Sequence, residues 1–188
     1  MANDTKTELL NSAERAARTR GFDGFSYADL SADVGIRKAS IHHHFPTKAA
    51  LSVALMQRYH ANLKKACDDI DDQEPTGGGR LAALIDRYRT ALDGGKSLCL
   101  CVSFSTSRDS LPAEVIVQIR NFRAMMVEWI TQVFTLGVTD GSILDVRDPM
   151  AEAAAMLSLI EGAQLAARAE ENPDLFESAV ALMQQRLQ

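Results

Sequence analysis

The chain has 188 residues, 46% of them hydrophobic and 24% charged, with a formal net charge of −5 at pH 7, which is apolar material enough for one compact unit or two small ones. No apolar run approaches the length of a bilayer span and the opening MANDTKTELL lacks the apolar segment of a signal peptide, so the cytoplasm is the expected compartment. Cys67, Cys99 and Cys101 form no zinc spacing, and an odd count is a poor disulfide framework, so reduced thiols are expected.

Almost every segment longer than ten residues has helical rather than strand periodicity, and the breakers fall between segments; the expectation is an all-α protein. A first helix is predicted from Thr5 to Arg20, with Leu9, Ala13 and Ala16 inward and Gly21 ending it. Residues Ser26 to Lys48 read SYADLSADVGIRKASIHHHFPTK and hold two short helical patterns separated by Gly35. Ser26 caps the first of them, Asp29 completes a capping box, and Leu30 and Val34 share a face. In the second, Ile41 and Phe45 lie four residues apart and pack inward, leaving Arg37, Lys38, Ser40, His42 and His43 on other faces. This is the layout of a helix-turn-helix, whose second helix enters the DNA major groove and presents hydrogen-bonding side chains at its N-terminal end.

Thr47 is a cap for a long connecting helix over 47–70, carrying Leu51, Leu55 and Tyr59. The stretch DDIDDQEPTGGG is the clearest linker, assigned to 71–79, because its charge, Pro75 and three glycines oppose a regular element. The domain expectation is a helix-turn-helix domain over 1–48 and a helical ligand-binding and dimerisation domain over 49–188. Further helices are predicted near 80–93, 97–108, 112–137, 149–170 and 173–187, with Pro112, Pro149 and Pro173 in first turns and Asp148 and Asn172 as caps.

Charge is distributed unevenly. Residues 1–65 carry ten Lys plus Arg against six Asp plus Glu, whereas 66–188 carry ten against nineteen, and all four histidines lie in the first part. Phosphate attraction depends on the contacting face and is screened beyond about 10 Å at moderate salt, so a net acidic protein with a basic end can bind DNA. A charge run on an ordinary helical hairpin is the competing reading, and it leaves this asymmetry without a purpose.

The run Gly35–Ile36–Arg37–Lys38–Ala39–Ser40–Ile41–His42–His43–His44–Phe45–Pro46–Thr47–Lys48, followed by Ala49, Ala50 and Leu51, resembles the signature of the TetR family of transcriptional regulators. Residues 5–55 carry the diagnostic part, and the helices before and after fit the full length. The resemblance implies a homodimeric repressor whose N-terminal domains bind a palindromic double-stranded operator and whose C-terminal domain takes a small-molecule inducer. It implies base or phosphate contacts from Lys38 and Ser40, a thymine-methyl contact from Ala39, and phosphate anchors at Tyr27 and Lys48, the latter helped by the amides of its own helix N-terminus. Ser26 and His43 join the expected DNA surface. His42 departs from the family pattern, which has tyrosine there, and its ability to donate to phosphate depends on pH. Arg37 replaces the usual small cap, weakening the cap and adding a phosphate contact.

Three adjacent histidines suggest a metal, but neighbouring helical residues point about 100° apart and cannot converge on one ion, so no metal site is assigned. His44 reads as a residue packed beneath the recognition helix. No cofactor is implied. A nucleophile elbow, a glycine-rich phosphate loop and an HExxH pattern are all missing, so the chain is not read as an enzyme; a helical adaptor without DNA binding is the alternative, and it has no need of a basic helix-turn-helix.

For self-association, Ala155, Leu159, Gly162 and Ala166 recur on one mostly small face, and Leu175, Ala179, Leu182 and Met183 line up in the last helix. Together they predict a four-helix interface across a two-fold axis, with intrachain packing as the competing reading. For the inducer, Phe104, Phe122, Met125, Met126, Trp129 and Phe134 offer an aromatic and methionine lining, which core packing explains equally well. The segment LCLCVSFSTSRDSLP places Cys99, Cys101, Ser103, Ser105 and Ser107 in a helix expected to be buried, where hydroxyls must find carbonyls or a ligand. It resembles a TetR subgroup that includes regulators responding to reactive electrophiles. Cys99 or Cys101 is then a sensing thiol or an inert buried one, and the two point too far apart on a helix for an easy disulfide.

Overall fold

The computed structural model describes residues 2–188, and side chains from Thr5 onward. Among the described residues nine α-helices run in chain order: α1 Ala2–Arg20, α2 Tyr27–Val34, α3 Lys38–His44, α4 Lys48–Gln73, α5 Gly77–Leu92, α6 Leu100–Ser105, α7 Ala113–Asp140, α8 Pro149–Ala169 and α9 Asp174–Gln184. Extended pairing among the described residues is limited to one antiparallel bridge, Ile143 with Leu187. The chain is all-α, as its periodicity requires.

It divides into two compact units. One runs through Ala61 and takes in Leu100–Phe122; the other comprises Asn62–Cys99 and Arg123–Gln188. This division departs from a boundary at residue 48: the first turns of α4, α6 and the first third of α7 belong with the helix-turn-helix.

In the first unit, Leu9, Ala13 and Ala17 of α1 are fully buried with Leu30, Ile41 and Leu51. Polar ties fix the helices around that core. Asp33 of α2 takes hydrogen bonds from Ser12 and, at 2.7 Å, from Arg15 of α1. Arg58 of α4 reaches Asn11 at 2.8 Å and Glu14 at 2.7 Å. The short α6 packs on α1, where the Ser103 hydroxyl donates to the Ala17 carbonyl and the Phe104 ring meets Phe22 edge-on at 5.6 Å.

The second unit corrects the linker. Residues 71–79 are not an irregular stretch: α4 continues to Gln73, and α5 starts at Gly77 under a Thr76 cap whose hydroxyl accepts from the Gly79 amide at 3.1 Å. The glycines are there for contact. A Cβ on Gly77 would lie 2.3 Å from the Gly137 nitrogen of α7, and one on Gly78 would lie 2.7 Å from the Ser142 carbonyl oxygen. Their amides donate to Asp140 and to the Ser142 hydroxyl, at 2.8 and 2.7 Å, so the start of α5 is stitched to the end of α7. α8 and α9 pack together, and Arg89 of α5 holds Glu177 of α9 through two contacts of 2.6 and 2.8 Å.

Candidate DNA interface

The helix-turn-helix is built by local rules. Ser26 accepts from the amides of Ala28 and Asp29, and its own amide donates to the Asp29 carboxylate at 2.7 Å, which closes the capping box. This bonding holds the Asp29 carboxyl below its usual range. Gly35 takes φ +74°, a left-handed value glycine adopts without strain, and turns the chain into α3. Arg37 sits at the N-cap of α3 and provides no side-chain cap, as its long side chain dictates.

On α3 only Ile41 is buried, and Phe45 just beyond it is buried too; together they fasten the helix to the core. Arg37, Lys38, Ala39, Ser40, His42 and His43 are all exposed, and His44 is half-buried. Six residues line a shallow groove along this helix: Ile36, Ala39, Ser40, His43, His44 and Thr5 of α1. Thr5 was not among the residues singled out from sequence; nothing local in α1 signals its proximity to α3.

Four expected DNA residues have intramolecular bonds. Ser26 serves the capping box, its hydroxyl donating to Asp29 at 2.7 Å. The Tyr27 hydroxyl donates to the Phe45 carbonyl at 2.8 Å, and burial pushes its pKa up to about 12. Lys48 Nζ donates to the Phe25 carbonyl at 2.6 Å. His42 rests tilted against the Tyr27 ring, with centroids 4.9 Å apart, and its Nδ1 lies 3.2 Å from the Pro46 carbonyl, an acceptor to which Nδ1 donates when it carries the proton.

The residues expected at an inducer site fall into both units. In the first, Cys101, Ser103, Phe104 and Phe122 are buried; Ser103 is satisfied by Ala17, and Phe122 packs against Tyr59 at 5.5 Å. In the second, Cys99, Met126 and Trp129 are buried, and the Trp129 indole N–H donates to Asp71 at 3.0 Å. Sequence reading passed over Gln164 of α8. It is wholly buried, its Oε1 accepts from the Cys99 amide at 3.0 Å, and its Nε2 has no hydrogen-bond partner among the described residues. A lone Gln in AEAAAMLSLIEGAQLAARAE carries no periodic signal of that role.

On the candidate dimer face, Ala155, Gly162 and Ala166 are exposed, Leu159 is half-buried and Leu182 is 64% exposed. Leu165 adds a further exposed apolar side chain, and the space around Gly162 is open for 4 Å. Among the described residues no group of three His, Cys, Asp or Glu could hold a metal, and no helix is long and apolar enough to cross a membrane.

A capped helix, a glycine turn and an exposed basic second helix on a buried anchor define a helix-turn-helix DNA-binding protein. Residues 9–55 match the family model described as "Bacterial regulatory proteins, tetR family". Over 184 residues, covering 95% of this chain and 92% of the relative, the sequence is 23% identical to the HTH-type transcriptional repressor NemR of Escherichia coli strain K12. A TetR-family transcriptional regulator from Agrobacterium tumefaciens superposes with a TM-score of 0.94 at 26% identity, covering 100% of this chain and 99% of that one. The reduced form of E. coli NemR superposes with a TM-score of 0.84 at 22% identity, over 98% and 97% of the two chains. Residues 9–55 thus carry a TetR-family DNA-binding domain, and the chain shares the fold of a TetR-family transcriptional regulator along its length.

Proposed function

We propose that the protein is a homodimeric repressor that binds a palindromic operator through α3 and leaves it when a small molecule occupies the second unit. The observation that carries the DNA part is the exposure of Arg37, Lys38, Ala39, Ser40 and His43 on a helix anchored by one buried residue, Ile41. Lys38 and Ser40 read base edges or phosphate, Ala39 meets a thymine methyl, and Arg37 and His42 contact phosphate. Thr5 joins this surface through the groove it shares with α3.

The dimer forms on α8 and α9. Small residues at Ala155, Gly162 and Ala166 let two helices approach closely, and Leu159, Leu165 and Leu182 supply the apolar area that water otherwise covers. Two recognition helices about 34 Å apart then enter successive major grooves.

The inducer site is proposed in the second unit at Gln164 and Cys99, with Met126 and Trp129 as buried apolar candidates from the same unit. A buried amide N–H without a partner is destabilising by about 1–3 kcal/mol, so a ligand that brings an acceptor to Gln164 Nε2 recovers that energy on binding. Discrimination of about 3 kcal/mol between DNA-competent and released states reverses repression a hundredfold. Cys99 enters this site through its main-chain amide, which donates to Gln164, and its buried thiol is the group an electrophilic inducer would modify.

Selection of bound duplexes from a random pool tests the proposal. Enrichment of an inverted repeat supports it, and a recovered pool no different from the input refutes it.

A further inference from the structure

On the reading of Gln164 as part of the inducer site, we propose that the ligand held there is a small neutral molecule with an acceptor and a donor side by side, as in a lactam or a primary amide. Its acceptor meets Gln164 Nε2 and its donor meets Glu161 Oε1. Both residues stand on α8, three positions apart, where helical side chains are neighbours with Cβ atoms about 5–6 Å apart. Gln164 is wholly buried. The Cys99 amide donates to its Oε1 at 3.0 Å and so fixes which end of the side-chain amide is the oxygen, leaving the Nε2 protons without an acceptor among the described residues. Glu161 is engaged on one side in the same way. Its Oε2 takes the Arg123 guanidinium of α7, while its Oε1 is buried and has no hydrogen-bond partner among the described residues.

The three polar side chains are graded in depth. That of Arg123 is 39% exposed, that of Glu161 is 13% exposed, and Gln164 lies wholly inside. Tying α7 to α8 accounts for the ion pair but not for the second carboxylate oxygen, and a buried acceptor or donor left unmade is costly. The two unmade groups are of opposite sense, one accepting and one donating. An acceptor alone leaves Glu161 Oε1 as it is, and a donor alone leaves Gln164 Nε2; a molecule carrying both satisfies the pair. Burial raises the Glu161 pKa and the Arg123 pairing opposes that rise. Because Arg123 already compensates the carboxylate, a cationic ligand would bring a charge with no counterion, and an anionic one would be repelled by Glu161; neutrality is the remaining choice.

Two matched probes test this in the full-length protein. 2-Pyrrolidinone carries N–H beside C=O, and N-methyl-2-pyrrolidinone keeps the acceptor without the donor. Each is titrated while the resonances of the Gln164 side-chain amide and the Cys99 main-chain amide are followed by NMR. 2-Pyrrolidinone is expected to shift both saturably and to bind about tenfold tighter than its N-methyl analogue, the difference of one hydrogen bond. Glu161→Gln keeps an oxygen for Arg123 and turns an N–H toward the ligand, so the preference for 2-pyrrolidinone is lost in that variant. Equal affinity for the two probes in the wild type, or no shift with either, would overturn the proposal. So would a long-lived water, seen by its Overhauser effect on the Gln164 amide protons, that neither probe displaces. Anisotropy of the selected duplex judges the inducer role separately: the expected preference without release of DNA upholds the ligand chemistry and refutes the inducer reading.

Discussion

The hydroxyl of Tyr27 donates to the main-chain carbonyl of Phe45 over 2.8 Å, joining the first residue of α2 to the residue that ends α3. With its pKa pushed to about 12 by burial, that hydroxyl is protonated at every working pH and is a permanent donor. Tyr27→Phe removes the bond and little else. The expected loss is about 1 kcal/mol of stability, read as a lower melting temperature, together with weaker operator binding; unchanged melting would show that the bond contributes nothing.

Lys38 opens α3 and is fully available on its surface. Replacing it with Ala is expected to weaken binding of the selected duplex by about 1–3 kcal/mol if the contact is to a base, with relaxed preference at one position of each half-site. Fluorescence anisotropy against single-base variants of the duplex checks this. Uniform weakening across all of them would move Lys38 from base reading to phosphate.

The contact of Gly77 with Gly137 makes a stability prediction. A methyl group on Gly77 has backbone atoms of α7 within 2.6 Å, none of which can swing aside. Gly77→Ala should therefore destabilise by about 3 kcal/mol, the upper range for overpacking. Chemical denaturation measures it, and an unchanged unfolding midpoint would show that the contact carries no such cost.

Asp29 gives a pH dependence. Its bonds to the Ser26 hydroxyl and amide hold its folded pKa below the unfolded value, so the unfolded chain takes up the proton first. The stabilisation is complete above the unfolded carboxyl range, about pH 4, and is lost as pH falls through the folded pKa. Melting temperatures of wild type and Asp29→Asn should differ at pH 6 and converge toward pH 3; a constant difference would place the effect of Asp29 elsewhere than in its charge.

The local devices were legible because they are short-range. Ser26 with Asp29, Gly35, Thr47, and Asp148 before Pro149 each sit within four residues of what they cap or turn, so a reader of the sequence sees cause and effect together. Contacts formed across the fold were not legible. The run Gly77–Gly79 carries a linker's composition and became a helix start because Gly137 and Ser142 approach it from about 60 residues away. Lys48 reads as a surface cation at a helix N-terminus, and only the folded positions of Phe22 and Phe25 show where its charge lies. Ser103 looked like a hydroxyl in search of a ligand until the Ala17 carbonyl supplied its partner. The grouping of α6 with the helix-turn-helix has no sequence signal at all.

The central claim is that α3 enters DNA twice, once from each chain of a symmetric pair held by α8 and α9. The most direct test is sedimentation of the protein with its selected palindrome, beside a duplex of equal length carrying one half-site, repeated with Leu182→Glu. Two chains per palindrome are expected, with at least a hundredfold weaker binding to the single half-site through lost bivalency, and loss of the two-chain complex in the variant. One chain bound per palindrome, or equal affinity for palindrome and half-site, would contradict it.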